Sequence, residues 1–221
     1  MPFDLIKNNV KRLLAEIPAD VGLVAAVKTR DHEEVNAAVS SGIQLVGENY
    51  VQEALKLRPH LAEHVKMHLI GHLQKNKVKK AVEVFDVIET VDSLEIAAEI
   101  DTKSRDISKI MPVLIEVNIA REPQKHGVFP ENAEKIIRSA SLLENVRVMG
   151  IMTMGFLSAE SENSRPLFRE TKKIFDDISS LGIDGVEMRW LSMGMSDSYL
   201  VAIEEGANLV RIGTGIFGHR K

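Results

Sequence analysis

The chain has 221 residues, 44% hydrophobic and 27% charged, with a formal net charge of −4 and no cysteine. This composition excludes wholesale disorder, and a chain of this length buries roughly 70% of its unfolded surface without staples. The missing thiols exclude disulfides, thiolate zinc sites and cysteine nucleophiles, while the near-balanced charge offers no general attraction to nucleic acid or membrane.

The first 17 residues predict an amphipathic helix, with Leu5, Ile6, Val10, Leu13, Leu14 and Ile17 on one side. This segment lacks the apolar core and cleavage site of a signal peptide, and no apolar run reaches the roughly 18 residues of a membrane span. A cytoplasmic protein is expected.

Short apolar runs of strand length then recur at Gly22–Val27, Ile43–Val46, Met67–Ile70, Val84–Glu89, Met111–Val117, Val146–Met152, Glu187–Met193 and Leu209–Ile212. Most are continuous rather than alternating, as in parallel strands covered on both faces. Helical periodicity lies between them, most clearly at Ser93–Lys103, Asn132–Leu143 and Ser164–Leu181, the last with a Leu-Gly stop. Eight strands alternating with helices predict a (β/α)8 TIM barrel, with a doubly wound open sheet as the alternative. No G-x-G-x-x-G follows the first strand, and no linker divides the chain, so one domain over residues 1–221 is expected, with residues 3–17 an added N-terminal helix. The basic run from Lys75 to Lys80 reads as a solvated helix face.

In a barrel the chemistry sits where strands end. The first strand ends on Lys28, either a lysine merely emerging into water or a partly desolvated amine poised to condense with a carbonyl. The last strand, with Arg211, runs into Gly213, Thr214 and Gly215, where backbone N–H groups could cradle a phosphate or simply close a turn. The preceding strand ends at Ser192-Met-Gly-Met-Ser196, and Ser196 reads equally as an anion ligand or a helix N-cap. Lysine, arginine and phosphate cradle together suit pyridoxal 5′-phosphate. An arginine facing the pyridine nitrogen keeps it unprotonated and weakens the ring as an electron sink. Asn49 and His72 follow strands two and three and could contact such a ring or cap their own loops. His60 and His64 are four apart without an H-E-x-x-H pattern, so no metal site is expected.

These residues resemble the pyridoxal phosphate homeostasis protein family. The matching segments are AAVKT around Lys28, GENYVQEA from Gly47, HLIGHLQKNK from His68, MPVLIEVNI from Met111, VMGIMTMG from Val148, LSMGMSDSY from Leu191 and VRIGTGIFG from Val210, collinear across nearly the whole chain. The resemblance implies a fold-type III barrel similar to the N-terminal domain of alanine racemase, with pyridoxal phosphate joined to Lys28 as a Schiff base. It further implies Arg211 at the pyridine nitrogen, Ser196, Gly213 and Thr214 on the phosphate, and Ser192, Asn49, His72 and Met152 as further neighbours. Members often read V-S-K-T where this chain has Val27 before Lys28. Alternation predicts that Val27 points away from the cofactor. The polar run Thr29-Arg30-Asp31-His32 is expected to alter the rim.

Alanine racemase takes a second base, a tyrosine, from a separate domain of a partner subunit. This sequence stops at Lys221 soon after the phosphate strand, and its tyrosines are Tyr50 and Tyr199. One lysine serves both faces of a carbanion poorly. The expectation is therefore a monomeric carrier that buffers the cofactor and passes it to apo-enzymes, rather than a robust enzyme. A weak racemase or lyase, and a Schiff-base aldolase acting on a sugar phosphate, remain the alternatives.

Overall fold

The computed structural model describes residues 2–155 and 161–219; Lys221, the last residue of the sequence, lies outside them. Eight parallel strands close into a barrel in the order β1 to β8: Gly22–Ala26, Leu45–Glu48, Lys66–Leu69, Val87–Val91, Met111–Val117, Val146–Thr153, Val186–Ser192 and Leu209–Ile212. Closure is direct, with Gly22 of β1 opposite Leu209 of β8 and Ala25 opposite Ile212. The open-sheet alternative is thereby excluded.

Helix α1 (Phe3–Glu16) precedes the barrel and buries Ile6, Val10 and Leu13. Leu5 and Leu14 stay exposed, so the apolar stripe is narrower than the sequence pattern implies. The helices that follow in the ring are α2 (His32–Val39), α3 (Val51–Leu57), α4 (Val78–Val84), α5 (Leu94–Arg105), α6 (Ala133–Ala140), α7 (Arg165–Ser180) and α8 (Tyr199–Glu204), with a last turn α9 (Thr214–Phe217). Two of these helices start on a side-chain cap. The Asp31 carboxylate accepts from Glu34 N at 2.7 Å to open α2, and Ser93 Oγ accepts from Ile96 N at 3.3 Å to open α5. Pro166 sits in the first turn of α7, and Gly182, at φ 55°, ends its run. α1 reaches the far end of the chain, where Asn9 Nδ2 donates to Ile216 O at 2.9 Å.

Two strand boundaries differ from the sequence pattern. Val84 closes α4, and β4 begins at Val87, because a continuous apolar run does not mark where a buried helix hands over to a buried strand. β2 begins at Leu45, since Ile43 N is still tied back to Ala38 O, and it runs on through buried Glu48. The basic run is a solvated face as expected: Lys79 and Lys80 are exposed while Val78 and Ala81 are buried.

Side chains alternate between two apolar zones. Val24, Ile70, Leu114, Met149, Met152 and Leu209 fill the barrel, whereas Leu23, Ala25 and Val27 join the layer between barrel and helices. Val27 thus points outward, and Lys28, one residue on, returns to the inward side. Above the apolar filling lies a buried polar layer of His68, Glu89, Glu116, Ser192 and Arg211. β7 and β8 pair only at Ser192 and Leu209. The Asn208 side chain bridges the gap, accepting from Leu191 N at 2.8 Å and donating to Arg189 O at 2.7 Å. Toward the mouth the seam continues through backbone bonds from Met193 N to Leu209 O and from Arg211 N to Gly194 O, each at 3.1 Å.

Candidate functional site

A cavity of about 360 Å³ opens at the C-terminal ends of the strands. It is lined by Lys28, Asn49, Met154, Ser196, Arg211 and Thr214, among others. Its volume lies within the ~300–1,000 Å³ of small-molecule sites. Arg30 and Asp197 also line it, so three cationic side chains face one carboxylate, a balance that favours an anion. A neighbouring groove of about 510 Å³ carries Asp31, Glu48 and Glu53 against Arg30 and Lys56, and three carboxylates make it the poorer phosphate site.

Lys28 follows β1, and its Nζ stands 4.9 Å from the centroid of the half-exposed Tyr50 ring. It has no hydrogen-bond or ion-pair partner among the described residues, so nothing competes with a carbonyl for its amine. Buried Glu48 at the end of β2 accepts from Asn49 N at 2.9 Å. Burial pushes its carboxyl up to about 7, with Glu53 adding to the rise and the Asn49 and Tyr50 N–H groups and Lys28 opposing it.

On the opposite wall, Ser196 Oγ accepts from Gly213 N at 3.2 Å and Gly215 N at 3.1 Å. It is not an N-cap: α8 starts at Tyr199 with Ser198 preceding it. The hydroxyl gathers the N–H groups of the last βα turn into a cradle beside Thr214. A Cβ on Gly213 would lie 3.3 Å from Ala26 O, so the turn approaches β1 too closely for a larger residue to fit easily.

Arg211, on β8, is almost wholly buried. It donates from Nη1 to Ser192 Oγ at 2.5 Å and from Nη2 to Thr153 O at 2.8 Å. Ser192 Oγ donates to Glu89 Oε2 at 2.6 Å, and His68 Nδ1–H donates to Glu89 Oε1 at 2.6 Å. Burial pushes the Glu89 carboxyl up, but His68, Arg211 and Ser192 together outweigh it and hold the group below its usual range. Burial likewise pulls Arg211 down against the pull of Glu89 and Glu116, yet a guanidinium stays charged at any ordinary pH. The result is a fixed cation at the cavity wall, backed by a charge-balanced network.

The structure therefore brings together Lys28, Asn49, Ser196, Arg211, Gly213 and Thr214 on one cavity. Ser192 lies beneath it, touching Arg211 rather than the cavity. Met152 is wholly buried in the barrel filling, and Met154, two residues on, lines the cavity instead. His72 lines the adjoining cavity, its Nδ1 3.3 Å from Asp92 Oδ2. The rim run is also used: Arg30 donates to Gly218 O at 2.9 Å, tying the first loop to the last turn, and His32 stacks on His60 at 4.2 Å. Sequence reading missed Glu89, Glu116, His68 and Met154. For the two glutamates a signal existed, a carboxylate inside an otherwise apolar strand, which is stable only when paired or protonated.

A family model described as the alanine racemase N-terminal domain matches residues 3–221. A protein of Aquifex aeolicus (strain VF5) named pyridoxal phosphate homeostasis protein is 39% identical over 200 residues, covering 90% of this chain and 87% of that one. The structure of PipY from Synechococcus elongatus PCC7942, with PLP bound, superposes with a TM-score of 0.88 at 28% identity, over 96% of this chain and 100% of that one. Alanine racemase of Clostridium difficile 630 superposes with a TM-score of 0.82 at 17% identity, over 99% of this chain and 56% of that one, a likeness of fold.

Proposed function

The chain belongs to the pyridoxal phosphate homeostasis protein family, and we propose that it binds pyridoxal 5′-phosphate at Lys28 and serves as a cofactor carrier. The observation that carries this reading is the shared cavity. It holds one unpartnered amine at Lys28, one buried cation at Arg211 and one hydroxyl–amide cradle at Ser196, Gly213 and Thr214. These three features match the aldehyde, ring nitrogen and phosphate of that molecule. When bound, the cofactor supplies an aldehyde that condenses with an amine and a ring that withdraws electrons.

The residues of the chain hold and orient. Arg211, fixed by Ser192 and Thr153, presents a permanent positive charge, which leaves a facing nitrogen unprotonated. The Ser196 hydroxyl, which gathers the Gly213 and Gly215 N–H groups, would donate to a phosphate, and Met154, Ile70 and Ala26 line the cavity beside Lys28. Tyr199 is buried, its hydroxyl environment set by Glu16 and Arg12 of α1, so it does not serve the cavity as a second base. Residues that hold and orient the ring and the phosphate support a carrier that buffers the cofactor in the cytoplasm as a monomer and yields it to apo-enzymes.

The test is an absorption spectrum of the purified protein with added pyridoxal phosphate, before and after borohydride reduction, with mass analysis of the labelled peptide. A visible band and a reduced adduct on Lys28 are expected, with loss of the adduct in Lys28→Ala and at least tenfold weaker binding in Ser196→Ala. A protein that stays colourless and unlabelled overturns the reading.

A further inference from the structure

Beside the Lys28 cavity, the segments after β3, β4 and β5 bring His72, Asp92 and His126 together. His72 Nδ1 lies 3.3 Å and His126 Nδ1 3.7 Å from the same oxygen, Asp92 Oδ2. The two imidazoles stack with centroids 3.5 Å apart and planes 8° apart. One donor atom from each of the three residues falls within a 4.8 Å group. Three ligands about 2.1 Å from a tetrahedral ion lie about 3.4 Å from one another, close to the two nitrogen–oxygen separations.

A second observation points the same way. Glu116 is 7% exposed, and its Oε2 has no hydrogen-bond partner. It lines the same cavity of about 350 Å³ as His72 and His126. A Cβ built on Gly127 would lie 3.2 Å from Glu116 Cγ, so the carboxylate arm runs beside the residue adjoining His126. Lys125, on the same wall, is paired with Glu122 at 2.6 Å. Two imidazoles and one carboxylate are the donor set of divalent first-row ions, with zinc(II) favoured by the nitrogen ligands.

We propose that His72, Asp92 and His126 bind a zinc(II)-class divalent cation, with Glu116 accepting a hydrogen bond from a water on that ion. The reading in which Asp92 merely accepts from two imidazoles leaves Glu116 without a partner; the cation accounts for all four side chains. The lone pairs of two nearly parallel rings do not converge, so binding requires the stack to open, which the exposure of His72 and His126 permits. The ion would clamp the segment after β5 to the ends of β3 and β4. Asn49, Ile70, Met154 and Met195 line both this cavity and that of Lys28, so the clamp forms one side of the shared mouth. The sequence carries no zinc motif because the ligands come from three separate strand ends, joined only by barrel closure.

The experiment is calorimetric titration of zinc chloride into the full chain stripped with chelator, with cobalt(II) absorption as a second readout and circular dichroism to confirm folding. One equivalent is expected, with a cobalt spectrum of low coordination number. His126→Ala and Asp92→Asn are each expected to weaken binding at least tenfold. Glu116→Gln should retain zinc while shifting the pH dependence of the cobalt band. His60→Ala, at the separate His32–His60 stack, should leave binding unchanged. Absence of binding, equal binding by His126→Ala, or loss in His60→Ala overturns the proposal. An unmoved pH dependence in Glu116→Gln overturns the part assigned to that residue.

Discussion

Ser192 Oγ accepts from Arg211 Nη1 across 2.5 Å and passes its own proton toward Glu89 at 2.6 Å. One small hydroxyl thus links a buried cation to a buried anion whose closest direct approach is 4.0 Å. Ser192→Ala strips a partner from each, and a lost buried hydrogen bond costs about 1–3 kcal/mol. Glu89→Gln removes the countercharge from Arg211 and His68 together, and breaking a buried pair costs about 3–5 kcal/mol. Urea denaturation of the two variants should place Glu89→Gln as the more damaging.

Stability should also depend on pH through Glu48. Its carboxyl is raised from 4.5 to about 7 in the folded chain, chiefly by burial, so the folded state holds the proton more tightly than the unfolded state. The stabilising contribution is complete below about pH 4.5 and is lost as pH rises through about 7. At 1.36 kcal/mol per unit the full span is at most about 3 kcal/mol. Glu48→Gln should be close to wild type at pH 4.5 and more stable than wild type at pH 8. Denaturation curves at the two pH values check this, and a variant weaker at both would contradict it.

Gly71 sets the position of Asn49. A Cβ at residue 71 would stand 2.4 Å from Asn49 O and 2.7 Å from Asn49 Cα, both backbone atoms that cannot swing aside. Gly71→Ala is expected to cost about 1–3 kcal/mol as the strand ends part. Because Asn49 lines the Lys28 cavity, the same change should weaken pyridoxal phosphate binding while leaving Lys28 able to form the reducible adduct. Thermal melts and a spectral titration report the two effects separately.

The sequence by itself predicted the barrel, with an open sheet as the alternative, and singled out two residue groups, Lys28 and Gly213–Thr214, that line one cavity. Continuous apolar runs marked the parallel strands, and a lysine or a glycine pair at a strand end marked where function gathers, because in a barrel all strand ends share one face. Ser196 was legible as a candidate, but only the fold made it a hydroxyl bound to Gly213 and Gly215 rather than a cap. Which of Met152 and Met154 faces the cavity turned on the height at which β6 leaves the barrel, something that residue alternation alone does not give. The partnership of His68, Glu89, Ser192 and Arg211, and the meeting of His72, Asp92 and His126, were decided by tertiary structure alone. These residues lie on different strands and strand ends. Their proximity depends on barrel closure and register, which arise from packing the whole chain and leave no local periodicity to read.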